Sequence, residues 1–246
     1  MYNFFVKEGD ITENTVVITG ADYNHIKKVL RLREGDTVLV SVGGYSHLCE
    51  LKKFESEAVI LEIIERNSKD ASLPIDIYLY QGKPKSDKME LIIQKAVELG
   101  VNKIVPVSMK RSIVKLDDKK AKEKVSRWQA ISESASKQSK RNVIPEVLPV
   151  TTLKNAINEL KSFDSIIVPY ENKEGMLPTL DALKEMKSGP KVGVVIGPEG
   201  GFEDEEIKLL QDAGAKIVSL GKRILRTETA AITTLSMLML YAEIKL

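Results

Sequence analysis

Residues 192–202, with the sequence VGVVIGPEGGF, constrain the fold of this chain more than any other stretch. Residues 192–196 are apolar and mostly β-branched, which predicts a strand buried on both faces. The glycine-rich segment that follows favours a sharp turn and lets another group approach the backbone closely. Four acidic residues come next, at 203–206, and negative charge suits the start of a helix. In α/β proteins, such a succession of strand, glycine loop and helix places a ligand at the carboxyl end of the strand.

The same loop indicates what kind of ligand it binds. Pro198 has no backbone N–H to offer a phosphate, and the carboxylate of Glu199 repels an anion. No Gly-Lys-Ser/Thr sequence follows the loop, which disfavours a phosphate-binding, nucleotide-dependent enzyme. We therefore expect a ligand that is neutral or cationic.

Two other strand ends carry loops of a similar kind. A strand predicted at 215–220 passes through Gly221 into a helix, and three charged residues lie close by: Arg223, Arg226 and Glu228. A strand predicted at 165–169 is followed by an acid at Glu171. Because the carboxyl ends of parallel strands meet at one edge of a sheet, we expect the three loops to line one pocket. The alternative is that each is an ordinary connection with a glycine cap.

Two domains are predicted from the pattern of apolar residues. Residues 1–70 hold several short strands, a hairpin turn at Gly43-Gly44 and one short helix with Asp22 as its N-cap, which indicates a small β-barrel. From residue 75 strands alternate with helices, so residues 73–246 are predicted to form an α/β domain with a mostly parallel sheet. The predicted strands of this second domain are 75–80, 103–107, 165–169, 192–196 and 216–220. Its predicted helices begin at Asp87, which has capping-box spacing to Glu90, and then cover 117–140, 152–161, 203–213 and 227–243.

Charge is distributed unevenly along the chain. Residues 69–145 hold 17 Lys and Arg against 9 Asp and Glu, a net charge of +8, although the whole chain carries only +2. Clustered basic residues favour a polyanionic partner, of which nucleic acid is the most common. The alternative is a solvated basic helix face.

Several classes of protein are disfavoured. One cysteine, Cys49, excludes an internal disulfide framework and fits a reducing cytoplasm, where it is expected in the core. The start of the sequence does not resemble a signal peptide, and the longest uncharged run, 229–242, is too short to span a bilayer. The two histidines are too scattered for a metal site, so no metal is expected. Trp128 lies at helical spacing and is expected in the core.

Taken together, the loops resemble one family. GPEGGF at 197–202, followed by LGKRILRTETA at 220–230, is similar to the paired signature of the ribosomal RNA small subunit methyltransferase E family. These enzymes are SPOUT-class methyltransferases that modify N3 of a uridine in 16S ribosomal RNA. HIKKVLR at 25–31 resembles the family's N-terminal PUA-like domain, and KAVELG at 95–100, with Arg141, resembles its central motifs.

The resemblance implies a PUA-like β-barrel that binds RNA, a knotted SPOUT domain, and a homodimer packed across the trefoil knot in the cytoplasm. It implies S-adenosyl-L-methionine as methyl donor and 16S ribosomal RNA of the small subunit as partner, with no membrane. Arg226 is expected to stabilise charge on the uracil ring, with Glu228 or Glu199 as proton acceptor. The expected donor-binding residues lie in the three loops: Pro169, Tyr170, Glu171, Ile196, Gly197, Pro198, Glu199, Gly200, Gly201, Leu220, Gly221, Ile224, Leu225, Arg226, Thr229 and Ala230. The expected RNA contacts are polar or basic: Arg31, Lys83, Lys85, Arg111, Gln138 and Arg141.

Two alternatives to this function remain open from the sequence. One is a non-catalytic RNA-binding or ribosome-assembly factor, which has no need of a small-molecule pocket. The other is a SPOUT methyltransferase that acts on a different RNA nucleotide.

Overall fold

The chain is divided into two compact units. The structure, a computed structural model, describes residues 1–113, 117–171, 175–186 and 189–246. One unit contains residues 1–72 together with 136–144, and the other contains 73–135 together with 145–246. Residues 136–144, which by sequence lie within the second predicted domain, therefore pack in the first unit.

The first unit is a five-stranded sheet with strand order β1-β3-β4-β5-β2, in which only the β1–β3 pair is parallel. Gly43 and Gly44 form the predicted hairpin turn, both with positive φ. Cys49 is fully buried in the core, and burial raises the pKa of its thiol to about 12, which confirms its interpretation as a core residue. The strands are β1 (Asn3–Phe5), β2 (Thr15–Thr19), β3 (Thr37–Val42), β4 (Tyr45–Phe54) and β5 (Ala58–Lys69).

The short helix of this unit differs from its prediction. Helix α1 covers Gly20–Asn24 and continues as a π-helical turn, His25–Leu30, which ends where Arg31 adopts a φ of 54°. Asp22 was expected to be the N-cap, but it lies inside the first turn. Its carboxylate is instead paired with Lys137, with 3.0 Å between Nζ and Oδ1.

Polar contacts hold the segment 136–144 in the first unit. The side-chain amide of Asn3 donates to the backbone oxygen of Arg141 at 2.8 Å. The side-chain amide of Asn142 donates to the backbone oxygen of Gly44 at 2.7 Å. Sequence periodicity assigns this segment to the end of a helix and a loop, and it carries no signal for these contacts.

The second unit contains a parallel seven-stranded sheet. Its main order is β12-β10-β11-β6-β7-β8, and β9 also pairs with β7. Strands β7, β8 and β9 follow β6 in the chain and lie on one side of it, whereas β10, β11 and β12 lie on the other side. The strand order therefore reverses between β6 and β11. Ligands of open α/β sheets bind at such a reversal, outside the carboxyl ends of the strands. The strands are β6 (Asp76–Gly82), β7 (Lys103–Ser108), β8 (Glu146–Val147), β9 (Thr151–Thr152), β10 (Ser165–Pro169), β11 (Lys191–Ile196) and β12 (Lys216–Val218).

Helices cover both faces of this sheet and confirm the predicted α/β class. Two apolar clusters form the core, one containing residues of α2, α3 and α7 and the other containing residues of α4 and α6. Trp128, 5% exposed, belongs to the first cluster, as predicted. Among the described residues, no helix is both long and apolar enough to cross a membrane. The helices are α2 (Lys88–Glu98), α3 (Asp118–Ser139), α4 (Leu153–Leu160), α5 (Leu177–Lys184), α6 (Asp204–Asp212) and α7 (Thr227–Lys245).

One local prediction in this unit was wrong, and three short elements were missed: β8, β9 and α5. Asp87 does not cap α2 through its side chain, because its backbone has φ −90° and ψ 9° rather than the extended conformation of an N-cap. Helix α5 was not predicted at all. It has only eight residues, and a segment of about two turns gives little periodicity to detect.

Candidate active site

The loop after β11 turns tightly at its glycines. The amide of Gly201 donates to the oxygen of Pro198 at 2.9 Å, and Gly201 has a φ of +70° that favours glycine. Helix α6 follows directly, and its capping box pairs the amide of Glu203 with the carboxylate of Glu206 at 3.0 Å. The acidic run after the glycines therefore begins a helix, as predicted from the sequence.

Side chains on both flanks fix this loop. On one flank, Arg111 donates to the oxygen of Gly200 at 3.0 Å and pairs with Glu203 at 2.9 Å. On the other flank, the hydroxyl of Thr227 donates to the oxygen of Gly197 at 2.6 Å. That hydroxyl also accepts a hydrogen bond from the buried amide of Gln81 at 2.9 Å. The loop is thus tied to both β6 and α7, which leaves its backbone with little freedom to move.

The three predicted loops meet at one cavity of about 350 Å³. This volume lies within the range of about 300–1,000 Å³ that is typical of small-molecule sites. A small adjoining pocket of about 60 Å³ extends toward the end of β12. The larger cavity is lined by Lys88, Pro169, Glu171, Ile196, Gly197, Pro198, Glu199, Gly201, Phe202, Ile224, Leu225, Arg226, Thr227 and Ala230. The adjoining pocket is lined by Pro169, Tyr170, Glu171, Ser219, Leu220, Gly221, Arg223, Leu225 and Ala230.

Most of the residues predicted to bind the donor line one of these two spaces. Two of them, Gly200 and Thr229, do not, and neither does the predicted proton acceptor Glu228. Gly200 faces away, since a Cβ placed on it would lie 2.9 Å from the Cβ of Arg111. Thr229 is exposed on α7 and lines neither space. Glu228 also lies outside both linings.

A lysine that the sequence did not single out joins the two glutamates. The Nζ atom of Lys88 lies 3.1 Å from Oε2 of Glu228 and 3.3 Å from Oε1 of Glu199. These carboxylates, Glu228 first, raise the pKa of Lys88 against the lowering effect of burial. Burial raises the pKa of Glu199, but the amide of Lys85 and the charge of Lys88 outweigh it, so the pKa is lowered. Both groups are therefore charged near neutral pH.

Arg226 lies in a different environment from Lys88. It precedes α7 at the N-cap position, is exposed and lines the cavity. Among the described residues, no carboxylate pairs with its guanidinium. Within that part of the chain, its donors are left for a ligand that enters the cavity.

The residues predicted to contact RNA are found in different environments. Arg31, Lys85 and Gln138 are exposed, whereas Lys83 and Arg141 are buried, with 5% and 6% of their surfaces exposed. Burial lowers the pKa of both buried cations, to about 10 for Arg141. Arg111 has an exposed side chain that is paired with Glu203.

Comparison with known proteins agrees with this arrangement. A family profile described as an RNA methyltransferase domain matches residues 71–239, and one described as an RNA methyltransferase PUA domain matches residues 18–64. The ribosomal RNA small subunit methyltransferase E of Bacillus subtilis is 38% identical over 94% of this chain and 91% of its own length. The chain belongs to the ribosomal RNA small subunit methyltransferase E family.

Other members of the ribosomal RNA small subunit methyltransferase E family agree in sequence and in fold. The Mesomycoplasma hyopneumoniae protein is 34% identical over 96% of this chain and 98% of its own. A crystal structure of the Neisseria gonorrhoeae protein bound to S-adenosyl methionine is 32% identical, covers 96% of each chain and superposes with a TM-score of 0.83. The predicted family, fold class and PUA domain are therefore confirmed for this methyltransferase.

The sequence did not point to several residues in or beside this methyltransferase's cavity. Thr227 and Phe202 adjoin predicted residues, so the only available signal was their position next to the motifs. Lys88 and Gln81 lie more than 100 positions before the glycine loop along the chain, and only the pairing of β6 with β11 brings them to it. Among the described residues, no cluster of His, Cys, Asp and Glu is arranged to hold a metal ion.

Proposed function

We propose that this enzyme transfers a methyl group from S-adenosyl-L-methionine to N3 of a uridine in 16S ribosomal RNA of the small subunit. The observation that carries the proposal is the cavity at the ends of β10 and β11, in a chain of this family. Its walls combine glycine backbone, apolar side chains, the carboxylates of Glu171 and Glu199, and the cations Lys88 and Arg226. The glycines, the apolar side chains and the carboxylates suit a ligand that has a neutral adenine and a sulfonium cation.

The donor supplies an electrophilic methyl group on a positively charged sulfur. The residues that would hold it are the backbone at 197–201, the turn at 220–221, and the apolar side chains of Ile224 and Leu225. Ile224 is 87% exposed although it is large and apolar. Such a side chain on the rim of a cavity is suited to cover a flat, apolar ring.

The methyl acceptor is a poor nucleophile until its proton leaves. The enzyme must align N3 with the sulfonium methyl group and stabilise the negative charge that moves onto the ring oxygens. The guanidinium of Arg226, which pairs with no carboxylate among the described residues, would provide that stabilisation from the cavity wall. Glu199 and Glu228 are the carboxylates available to accept the proton.

RNA would be bound by the PUA domain and by the basic middle of the chain. Arg31, Lys85 and Gln138 remain the exposed candidates among the predicted contacts, with Arg111 beside the glycine loop. Lys83 and Arg141 would act only indirectly, because their side chains are buried.

An apolar groove on α7 supports the proposal of a homodimer. The groove has a volume of about 560 Å³ and includes Leu240 and Ile244, which are 55% and 64% exposed. A second copy of the chain would remove these side chains from water. The trefoil knot and the cytoplasmic location, where ribosomal RNA is found, complete the proposal and rest on the family resemblance.

The proposal is tested with purified protein, S-adenosylmethionine and either naked 16S RNA or small subunits. Calorimetry should show binding of the donor, and mass spectrometry of digested RNA should show 3-methyluridine. Absence of donor binding would favour a non-catalytic RNA-binding factor. Methylation at another base atom would favour a SPOUT enzyme with a different target.

A further inference from the structure

Three charged side chains from separate elements converge on one side of the cavity. Lys88 is the first residue of α2, Glu228 lies in the first turn of α7, and Glu199 lies in the loop after β11. The distances of 3.1 and 3.3 Å place the ammonium group between the two carboxylates. A lysine without a carboxylate partner could bind an anionic group of the RNA or of the donor. The charge of Lys88 is already neutralised by Glu199 and Glu228.

The two glutamates are not equivalent. Glu199 lines the cavity with 24% of its side chain exposed. Glu228 lines neither space, its side chain is 14% exposed, and its Oε2 atom is buried. Glu228 therefore faces Lys88 rather than a bound base.

The carboxylate of Glu199 is fixed through one oxygen. Oε1 accepts the backbone N–H of Lys85 at 2.9 Å and lies beside Lys88. Glu199 is thus anchored by Lys85 and Lys88 while it still lines the cavity, within reach of a proton on a base bound there.

We propose that Glu199 is the residue that accepts the N3 proton of the target uracil, and that Lys88, anchored by Glu228, is a positioning residue that holds it in place. This inference rests on the proposed function. As the N3–H bond breaks, the proton passes to the carboxylate of Glu199. The N3 electron pair forms the new bond to the methyl carbon, the sulfur–methyl bond breaks, and its electron pair stays on sulfur. Glu199 then releases the proton to water.

The same arrangement accounts for a choice between pyrimidines. The Watson–Crick edge of uracil presents an N–H donor between two carbonyl oxygens, and enzymes that act on bases read this edge by hydrogen bonds. Glu199 provides an acceptor, and Arg226 provides a cationic donor on the same cavity wall. Cytosine has no proton on N3 at neutral pH, so it would leave the carboxylate without a donor, which costs affinity. The other carboxylate among the described wall residues is Glu171, which attracts the sulfonium cation of the donor.

The first test is a titration that does not need activity. The Glu199 carboxyl signal is followed by carbon NMR against pH in the protein without donor, and it is assigned by its loss in Glu199→Gln. In Lys88→Met the midpoint should move to higher pH, because a neighbouring positive charge that favours the ionised form has gone. Lys88→Arg should restore the low midpoint. Lys95→Met, which removes the Lys95–Glu98 pair on the same helix, is the control that should leave it unchanged.

The second test is kinetic. Glu199→Gln should lower kcat by about 10²-fold or more, the usual contribution of a general base, while donor affinity by calorimetry changes little. Glu228→Gln should lower kcat less than Glu199→Gln does. In Lys88→Met the acidic limb of kcat against pH should move to higher pH, and it should stay in place in Lys95→Met.

Two results would overturn the inference. One is an unchanged Glu199 midpoint in folded Lys88→Met, and the other is a larger loss of kcat in Glu228→Gln than in Glu199→Gln. The comparison of the two glutamate variants leaves Lys88 intact, so it decides the assignment even if Lys88→Met does not fold. If the wild-type protein bound donor but methylated no uridine, the proposed function would fail. The titration would still show whether Lys88 lowers the pKa of Glu199.

Discussion

Replacing Thr227 by valine removes a hydroxyl that joins two parts of the site. The volume of the side chain stays nearly the same. The hydroxyl donates to Gly197 at 2.6 Å and accepts from Gln81 at 2.9 Å, and the Gln81 side chain is fully buried. Each bond contributes about 0.5–1.5 kcal/mol, and a buried group left without its partner costs about 1–3 kcal/mol. The amide of Gln81 keeps its second bond, to Gly82, so we expect a total loss of about 2–3 kcal/mol.

The assay is urea unfolding combined with calorimetry of S-adenosylmethionine. Thr227→Val should lower the free energy of unfolding by this amount and should weaken donor binding, because the Gly197 loop loses its anchor on α7. Thr234→Val is the matched control, since Thr234 is also buried on α7 but donates only to Ala230 within its own helix. The reasoning is refuted if the two variants have the same stability and the same donor affinity as each other.

Three other substitutions test separate features. Lys83→Met should raise the free energy of unfolding near neutral pH, because burial disfavours the charged form of Lys83. This gain should disappear as the pH rises from the lowered pKa of Lys83 toward the ordinary value of a lysine. Urea unfolding at several pH values measures it, and exposed Lys85→Met should show no such gain. Gly201→Ala should lower the free energy of unfolding by about 1–2 kcal/mol, because an alanine is strained at the φ of +70° found there. It should also weaken donor binding in calorimetry, and an unchanged free energy of unfolding would contradict the expected strain. Leu240→Asp should shift the protein toward monomer in light scattering. Leu209→Asp is the control and should cause no shift, because Leu209 has nearly the same exposure, 54% against 55%, but lies on α6 outside the groove. A monomeric wild type would contradict the homodimer proposal.

The fold was predictable where local signals and burial agree. Five parallel strands of the second unit, β6, β7, β10, β11 and β12, are largely apolar runs and lie within a few residues of their predicted positions. Strands β8 and β9 have two residues each and were not predicted. The hairpin at Gly43-Gly44 was predictable because a tight turn of this kind needs positive φ. Helix α7 was predictable from its long uncharged run.

Features that depend on distant contacts were not predictable. The end of α3 and the residues up to 144 pack in the first unit through Asn3 and Asp22, which lie more than 100 positions earlier. Asp22 was assigned as a cap because an acid at a helix start is the usual local reason for such a residue. In the structure, its ion pair with Lys137 takes that carboxylate instead.

The candidate site was predictable as three loops but not as a charge arrangement. Three strand ends on one edge of a parallel sheet must lie close together, so Glu171, Glu199 and Arg226 could be grouped before the structure. The sequence left Glu199 and Glu228 as equal candidates for proton acceptor. Their different exposure, and the position of Lys88 between them, follow from the packing of α2 against α7 and have no signature in the spacing of residues.

Methylation of N3 of a uridine in 16S ribosomal RNA by this chain can be measured in cells. Mass spectrometry of digested 16S ribosomal RNA, from cells with and without the gene, gives its content of modified nucleosides. One 3-methyluridine should be lost without the gene and should return when the wild-type protein is restored, but not when Arg226→Ala is restored. An identical 3-methyluridine content with and without the protein would contradict it.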